Sequence, residues 1–127
     1  MQLIRREGLP KLWMPGRMVQ KAVGKQGSSI SARMTMGFAL FSEETDPMEP
    51  HCHAEETVYV ISARDGWIRV GRESAQLGPE MYLEAGMVLH LSDGEWHVFE
   101  HAEGGHVDVV FFFGQVEDIG SGTFSER

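Results

Sequence analysis

Apolar and polar residues alternate with period two along much of the chain, and no window repeats apolar positions at helical spacing for more than about two turns. The pattern predicts strands and almost no helix. Arg17 to Val23 reads as a weak first strand, closed by the turn Gly24-Lys25-Gln26-Gly27-Ser28-Ser29. From Ile30 to Phe41 the alternation is clear. Met34, Met36, Phe38 and Leu40 share one face, and Arg33, Thr35, Gly37 and Ala39 share the other. The large residues are expected inward, and the small ones where another backbone comes close. Ser42 to Pro50, with two prolines and four acids, reads as a loop.

Thr57 to Ser62 is β-branched and aromatic, and the Asp65-Gly66 pair that follows predicts a hairpin, with Trp67 to Val70 returning antiparallel. Shorter strands are expected at Met81–Leu83, Met87–Leu91, His97–His101 and Val107–Phe113, divided by Gly86, Asp93-Gly94 and Gly104-Gly105. About eight or nine short strands with frequent turns indicate an all-β sandwich or barrel. The expected organisation is one domain: a basic N-terminal arm over residues 1–29, a barrel over about 30–113, and a frayed tail over 114–127.

Composition narrows the class. With 42% apolar and 24% charged residues the 127-residue chain is globular rather than disordered. The single cysteine, Cys52, excludes an internal disulfide and fits a reducing compartment. The densest apolar run, Val107 to Phe113, is interrupted by Asp108, and no signal-length apolar stretch follows Met1 to Arg6. The expectation is a cytoplasmic protein without a membrane partner.

A net charge of −8 argues against nucleic acid. The bases are concentrated: Arg5, Arg6, Lys11, Arg17, Lys21, Lys25 and Arg33 stand against the single acid Glu7 in residues 1–33. The arm is expected to be a solvated strand pair docking on an acidic neighbour. Its complementarity to the acidic remainder, with an open sheet edge to cover, points to a homodimer.

All six histidines lie between positions 51 and 106. In His51-Cys52-His53, strand alternation puts both imidazoles on one face and turns the Cys52 thiol away from them. A carboxylate follows. Unbroken alternation selects Glu55, whereas a kink at Ala54-Glu55 resets the phase and selects Glu56, with Val58 and Val60 inward beside it. A second segment, Gly86 to His97, carries Ser92-Asp93-Gly94-Glu95-Trp96-His97 and returns His97 across the barrel.

With these segments the chain resembles a small single-domain cupin. The first is similar to cupin motif one, His-x-His followed by a Glu. The second is similar to motif two, Pro-x-Gly-x-x-His, with Ser92 replacing the proline. The likeness covers about residues 34–113. Thr45 stands where the motif has an early glycine, Ala63 where it has its closing one, and the spacing from His53 to Glu56 is short. The resemblance implies an antiparallel jelly-roll barrel holding one divalent metal through His51, His53, Glu56 and His97. It favours Glu56 over Glu55.

Three imidazoles and a carboxylate with open positions suit Fe, Mn, Ni or Zn. Pocket walls are expected from Met34, Met36, Phe38, Met81, Trp96 and Phe99, with His90 packed nearby. Arg33, Arg69 and Arg72 are the cations considered for an anionic ligand. Glu56 is a candidate base, and His101, two alternations beyond His97, a candidate acid–base group. The expected activity is that of a metalloenzyme of oxygenase, lyase or isomerase class on a small oxygenated or carboxylate compound. The alternative is a non-catalytic domain that binds or senses a small molecule.

Overall fold

The structure is a computed structural model that describes residues 1–114; all of the expected frayed tail except Gly114 lies outside the described residues. After a 3-10 turn at Arg6–Gly8 come β1 (Leu12–Met14), β2 (Arg17–Gly24), β3 (Ser29–Ile30), β4 (Thr35–Ser42), β5 (Glu56–Gly71), β6 (Met81–Tyr82), β7 (Val88–Leu91) and β8 (Trp96–Phe113). The strands hydrogen-bond in the order β1-β2-β4-β8-β5-β6, with β3 added to β2 and β7 to β5. Every pairing but the short β2–β3 contact is antiparallel. The all-β antiparallel barrel expected from the alternation is the architecture observed. No helix among the described residues is long and apolar enough to cross a membrane.

The barrel is built on two long strands where the sequence suggests four short ones. Thr57–Ser62 and Trp67–Val70 do not form a hairpin with each other. Both belong to β5, which runs straight through Asp65-Gly66 and pairs with β8 from Glu56↔Phe113 to Gly71↔Trp96. The register shifts between Arg64 and Gly66, where Asp65 takes φ 48°. Gly104, at φ 79°, lies in the matching bend of β8. The Asp-Gly signal therefore marks a bulge. It bends the pair around the barrel corner instead of reversing the chain, because β8 already supplies the antiparallel partner.

The inward face of β4 is also the reverse of the expected one. Thr35, Gly37, Ala39 and Phe41 are buried, whereas Met36, Phe38 and Leu40 are only half-buried on the outer side and Met34 is 59% exposed. The cause lies in β8, whose inward residues Val107, Val109, Phe111 and Phe113 stand opposite Phe41, Ala39, Gly37 and Thr35. A Cβ on Gly37 would lie 2.7 Å from the Phe111 ring. The small residues of β4 make room for the phenylalanines of β8.

The basic arm is part of the fold. β1 and β2 extend the sheet beside β4, and the Gln20 amide donates to the Arg6 and Leu9 carbonyls, at 3.0 and 3.2 Å. Arg6 meets Asp108 of β8 in a two-pronged pair (3.0 and 2.7 Å) and lies 4.5 Å over the Phe38 ring. The acidic neighbour for this arginine is in its own chain.

Candidate metal centre

His51 and His97 form an isolated antiparallel bridge and exchange both backbone hydrogen bonds, at 3.0 and 2.9 Å. Directly opposed residues in such a pair project to the same face, which brings an imidazole from each motif together. The Gly94 N–H donates to the His53 carbonyl at 2.9 Å, with Gly94 at φ 78°. The glycine of the second motif thus ties the two segments together in a conformation that other residues seldom adopt. The three ring centroids stand 5.4, 4.6 and 5.0 Å apart for His51–His53, His51–His97 and His53–His97. One ligand atom from each lies within 4.8 Å of the other two.

The chain bends at Ala54, and the alternation restarts there. Glu56, Val58 and Val60 are buried, and Glu55, Thr57 and Tyr59 are exposed. The Glu56 Oε1 stands 3.2 Å from the His53 Nε2 and 3.8 Å from the His97 Nε2. Glu55 faces outward and pairs with His90 at 2.5 Å.

Tautomers are set by the backbone. The Nδ1 atoms of His51, His53 and His97 lie 3.3, 2.9 and 3.2 Å from the carbonyls of Glu49, Ala54 and Glu95. A carbonyl can only accept, so in the neutral ring, the form that binds a metal, each Nδ1 carries the proton and each Nε2 keeps a lone pair. Burial, reinforced by the charges of His97, His53 and Arg17, pushes His51 down to about 2. Burial likewise lowers His97, against the opposing pull of Glu56. The Glu56 Oε1, fully enclosed, has no hydrogen-bond partner among the described residues. Lone pairs of nitrogen and oxygen thus converge where no proton donor stands between them, an arrangement that a cation satisfies. The residues present fit a divalent transition metal, with each Nδ1 bond orienting its ring from behind.

The centre lies in a cavity of about 40 Å³ whose other walls include Val19, Ala39, Phe41, Met48, Val58, Val109, Phe111 and Phe113. Of the expected wall residues, Phe99 lines it. Met34, Met36 and Phe38 are on the outer side of β4, Met81 is exposed, and half-buried Trp96 opens β8 outside the cavity. His90 is on the outer surface of β7, because its partner Thr57 is on the outward side of β5. His101 is displaced as well. The corner bulge follows it, its Nδ1 lies 2.9 Å from the Ala102 carbonyl, and it lines a separate outer groove of about 740 Å³. Phe41, Met48 and Phe99 border both spaces.

Arg33 and Arg72 are exposed, and Arg69 binds the Gly78 carbonyl at the outer groove. Among the described residues, the cation that does reach the cavity is Arg17, which the basic-arm reading passed over. Its signal in the sequence was slight: it directly follows Pro15-Gly16, and its alternation partner is Val19.

Similar architecture occurs in solved structures. The polyketide cyclase RemF from Streptomyces resistomycificus matches with a TM-score of 0.67 at 17% identity, over 92% of this chain and 80% of that one. KdgF from Halomonas sp. matches with a TM-score of 0.67 at 14% identity, over 94% and 97%. The chain has the cupin fold. A further cupin-fold neighbour, Bacillus subtilis oxalate decarboxylase with its Mn(II) centres, matches with a TM-score of 0.66 at 13% identity, over 91% of this chain and 30% of that larger one. No family model matches the sequence, and no curated protein matches it. The cupin likeness is therefore one of fold, and the chemistry must be argued from the centre itself.

Proposed function

We propose that the protein is a metal-dependent enzyme holding one divalent transition ion (Fe, Mn, Ni or Zn) through the Nε2 atoms of His51, His53 and His97 and the Glu56 carboxylate. Its substrate is a small oxygenated or carboxylate compound, handled by oxygenase, lyase or isomerase chemistry. The observation that carries this reading is the buried Glu56 Oε1, without a hydrogen-bond partner among the described residues, facing the Nε2 atoms of His53 and His97. When bound, the ion supplies Lewis acidity to a ligand oxygen. The chain does the rest. Backbone carbonyls behind each imidazole hold the rings in place, and apolar side chains wall the space beside them. Glu56 is the carboxylate of the ligand set and the candidate base beside the ion. That a polyketide cyclase and an oxalate decarboxylase share the fold supports enzymatic use of the barrel.

One observation favours a second reading, non-catalytic binding of a small molecule. Among the described residues, the titratable groups lining the cavity are the three histidines, Glu56 and Arg17, with no acid–base group separate from the ligand set and that arginine. Metal analysis of freshly purified protein, followed by assays of oxygen consumption and of small-acid turnover on the metal-loaded form, decides between them. Stoichiometric metal with turnover supports the enzyme. Tight ligand binding without turnover supports the binder, and absence of metal uptake overturns both.

A further inference from the structure

Resting on the metal-centre reading, we infer that Met48 is the specificity-determining residue of this centre. Its side chain divides the metal cavity from the outer groove, and a ligand that displaces it lies across both. The ligand class is a small compound with an oxygen function at its metal-facing end and a neutral or cationic tail of several atoms.

The wall between the two spaces is built from side chains that face both. Phe41, Met48 and Phe99 border the cavity of about 40 Å³ on one side and the groove of about 740 Å³ on the other. The Phe99 ring also stands 6.1 Å from the His97 ring, which puts the wall next to the histidine cluster. Phe41 and Phe99 come from β4 and β8, are each 4% exposed, and stack at 4.7 Å. Rings packed so closely between barrel strands have little room to turn. Met48 is different. It is half-buried on the loop between β4 and β5, and an unbranched thioether changes shape more easily than a ring.

The fastening of that loop explains why the wall yields at Met48. β4 ends at Ser42, opposite His106, and past that point the loop runs along the same edge of β8. Gly104 donates its N–H to the Glu43 carboxylate at 2.8 Å, Phe99 to the Met48 sulfur at 3.3 Å, and His97 to the His51 carbonyl at 2.9 Å. Thioether sulfur is a weak acceptor, so the middle bond of the three is the weakest. Displacing the Met48 side chain gives up that bond, while the flanking two keep the loop on β8. The Gly16 turn supports the loop from another side, since a Cβ on Gly16 would lie 2.7 Å from the Met48 Cα. The backbone is held, and the side chain is replaceable.

Size and charge give the ligand class. The cavity has room for roughly three water-sized groups, which an oxygen function and the carbon carrying it fill. The buried Glu56 Oε1, without a hydrogen-bond partner among the described residues, marks this as the end that takes the ion. A longer ligand extends where the wall is weakest, into a groove of ordinary size for a small-molecule site. Five acids line that groove, Glu43 and Glu100 among them, against Arg69 and His101. Arg69 already donates to the Gly78 carbonyl and lies 3.9 Å from Glu100. The acid excess repels a carboxylate tail and admits a neutral or cationic one.

The test uses the full chain loaded with Mn(II), with hydroxamates as probes because that group offers two oxygens to a divalent ion. Acetohydroxamate has no tail, aminocaprohydroxamate has an ammonium tail, and adipic monohydroxamate has a carboxylate tail of similar length. Binding is followed by calorimetry and by the change in the Mn(II) electron paramagnetic resonance signal. The ammonium-tailed probe is expected to bind tenfold or more tightly than the carboxylate-tailed one. Relative to acetohydroxamate in the same variant, its affinity should rise fivefold or more in Met48→Ala and fall fivefold or more in Met48→Phe. One folded variant is enough to read the ratio. Equal or reversed ranking of the two tails, smaller or opposite changes of the ratio, or failure of the hydroxamates to bind overturns the role of Met48 and leaves the metal centre standing. Failure of the wild-type chain to take up Mn(II) overturns the metal-centre reading, and this one with it.

Discussion

Glu55 and Glu56, adjacent in the chain, sit on opposite surfaces of the barrel: one pairs with His90 outside, and the other lies 3.2 Å from the His53 Nε2 inside. Neighbours in an extended chain face opposite ways, and the bend at Ala54 decides that Glu56 is the one on the side of His51 and His53. Glu56→Gln is expected to weaken Mn(II) or Zn(II) binding by about 10-fold or more, whereas Glu55→Gln leaves it unchanged within about twofold. Calorimetric titration of the two variants checks this. The opposite ranking would place the carboxylate ligand on the wrong residue.

Metal uptake should stabilise the fold. An ion that binds only the folded chain adds about 4 kcal/mol at roughly a thousand times its dissociation constant, which for a domain of this size raises the melting temperature by about 15 °C. The rise is expected at pH 8, reversed by chelator, and absent when His51 and His97 are both replaced by Gln. An unchanged melting temperature on chelation would count against the centre.

In the metal-free protein, stability should fall with acid. His51 is held at about 2 by burial first and by neighbouring positive charge second, and His97 is lowered by burial. In the unfolded chain both revert to about 6.5. Above that pH neither state is protonated and the stabilisation is complete. As pH drops below it only the unfolded chain takes up protons, so stability declines by about 1.4 kcal/mol per pH unit for each group until the lowered folded values are passed. Urea unfolding of chelator-treated protein should give a free energy roughly 2 to 4 kcal/mol lower at pH 5 than at pH 8. A flat profile would mean that these rings protonate without unfolding.

The corner bulge should be sensitive at one residue of its pair. A Cβ on Gly66 would overlap the Val107 side chain and lie 2.8 Å from the His106 carbonyl oxygen, both parts of the β8 strand. Gly66→Ala is expected to cost about 2 kcal/mol or more. Asp65→Gly, at a position already in the left-handed region, should change stability by less than about 1 kcal/mol. Urea midpoints of the two variants give the comparison.

Arg6 anchors the N-terminal segment through Asp108 while covering the Phe38 ring. The pair is partly buried and two-pronged, so a double-mutant cycle with Arg6→Ala and Asp108→Ala should return a coupling near 1 kcal/mol. Coupling near zero would make the contact incidental.

The sequence by itself pointed to an all-β barrel through its alternation, and the resemblance of its two motifs to those of cupins implied that His51, His53 and His97 belong together, because alternation and motif spacing are local properties of the chain. It also held the kink that selects Glu56 over Glu55, since only a phase reset brings Glu56, Val58 and Val60 to the side of His51 and His53. Tertiary structure decided what alternation leaves symmetric. Period two says that Met36 and Gly37 face opposite ways but not which way is inward, and Phe111 across the sheet settles it by needing the space that only Gly37 leaves. It likewise made Asp65-Gly66 a bulge, because β8 was present to pair with both halves of β5. Arg17 came to the cavity by the same route. Its charge is legible in the chain, but its place beside Glu56 is set by a Pro-Gly turn packed on a loop some thirty residues away, a contact that no local pattern encodes.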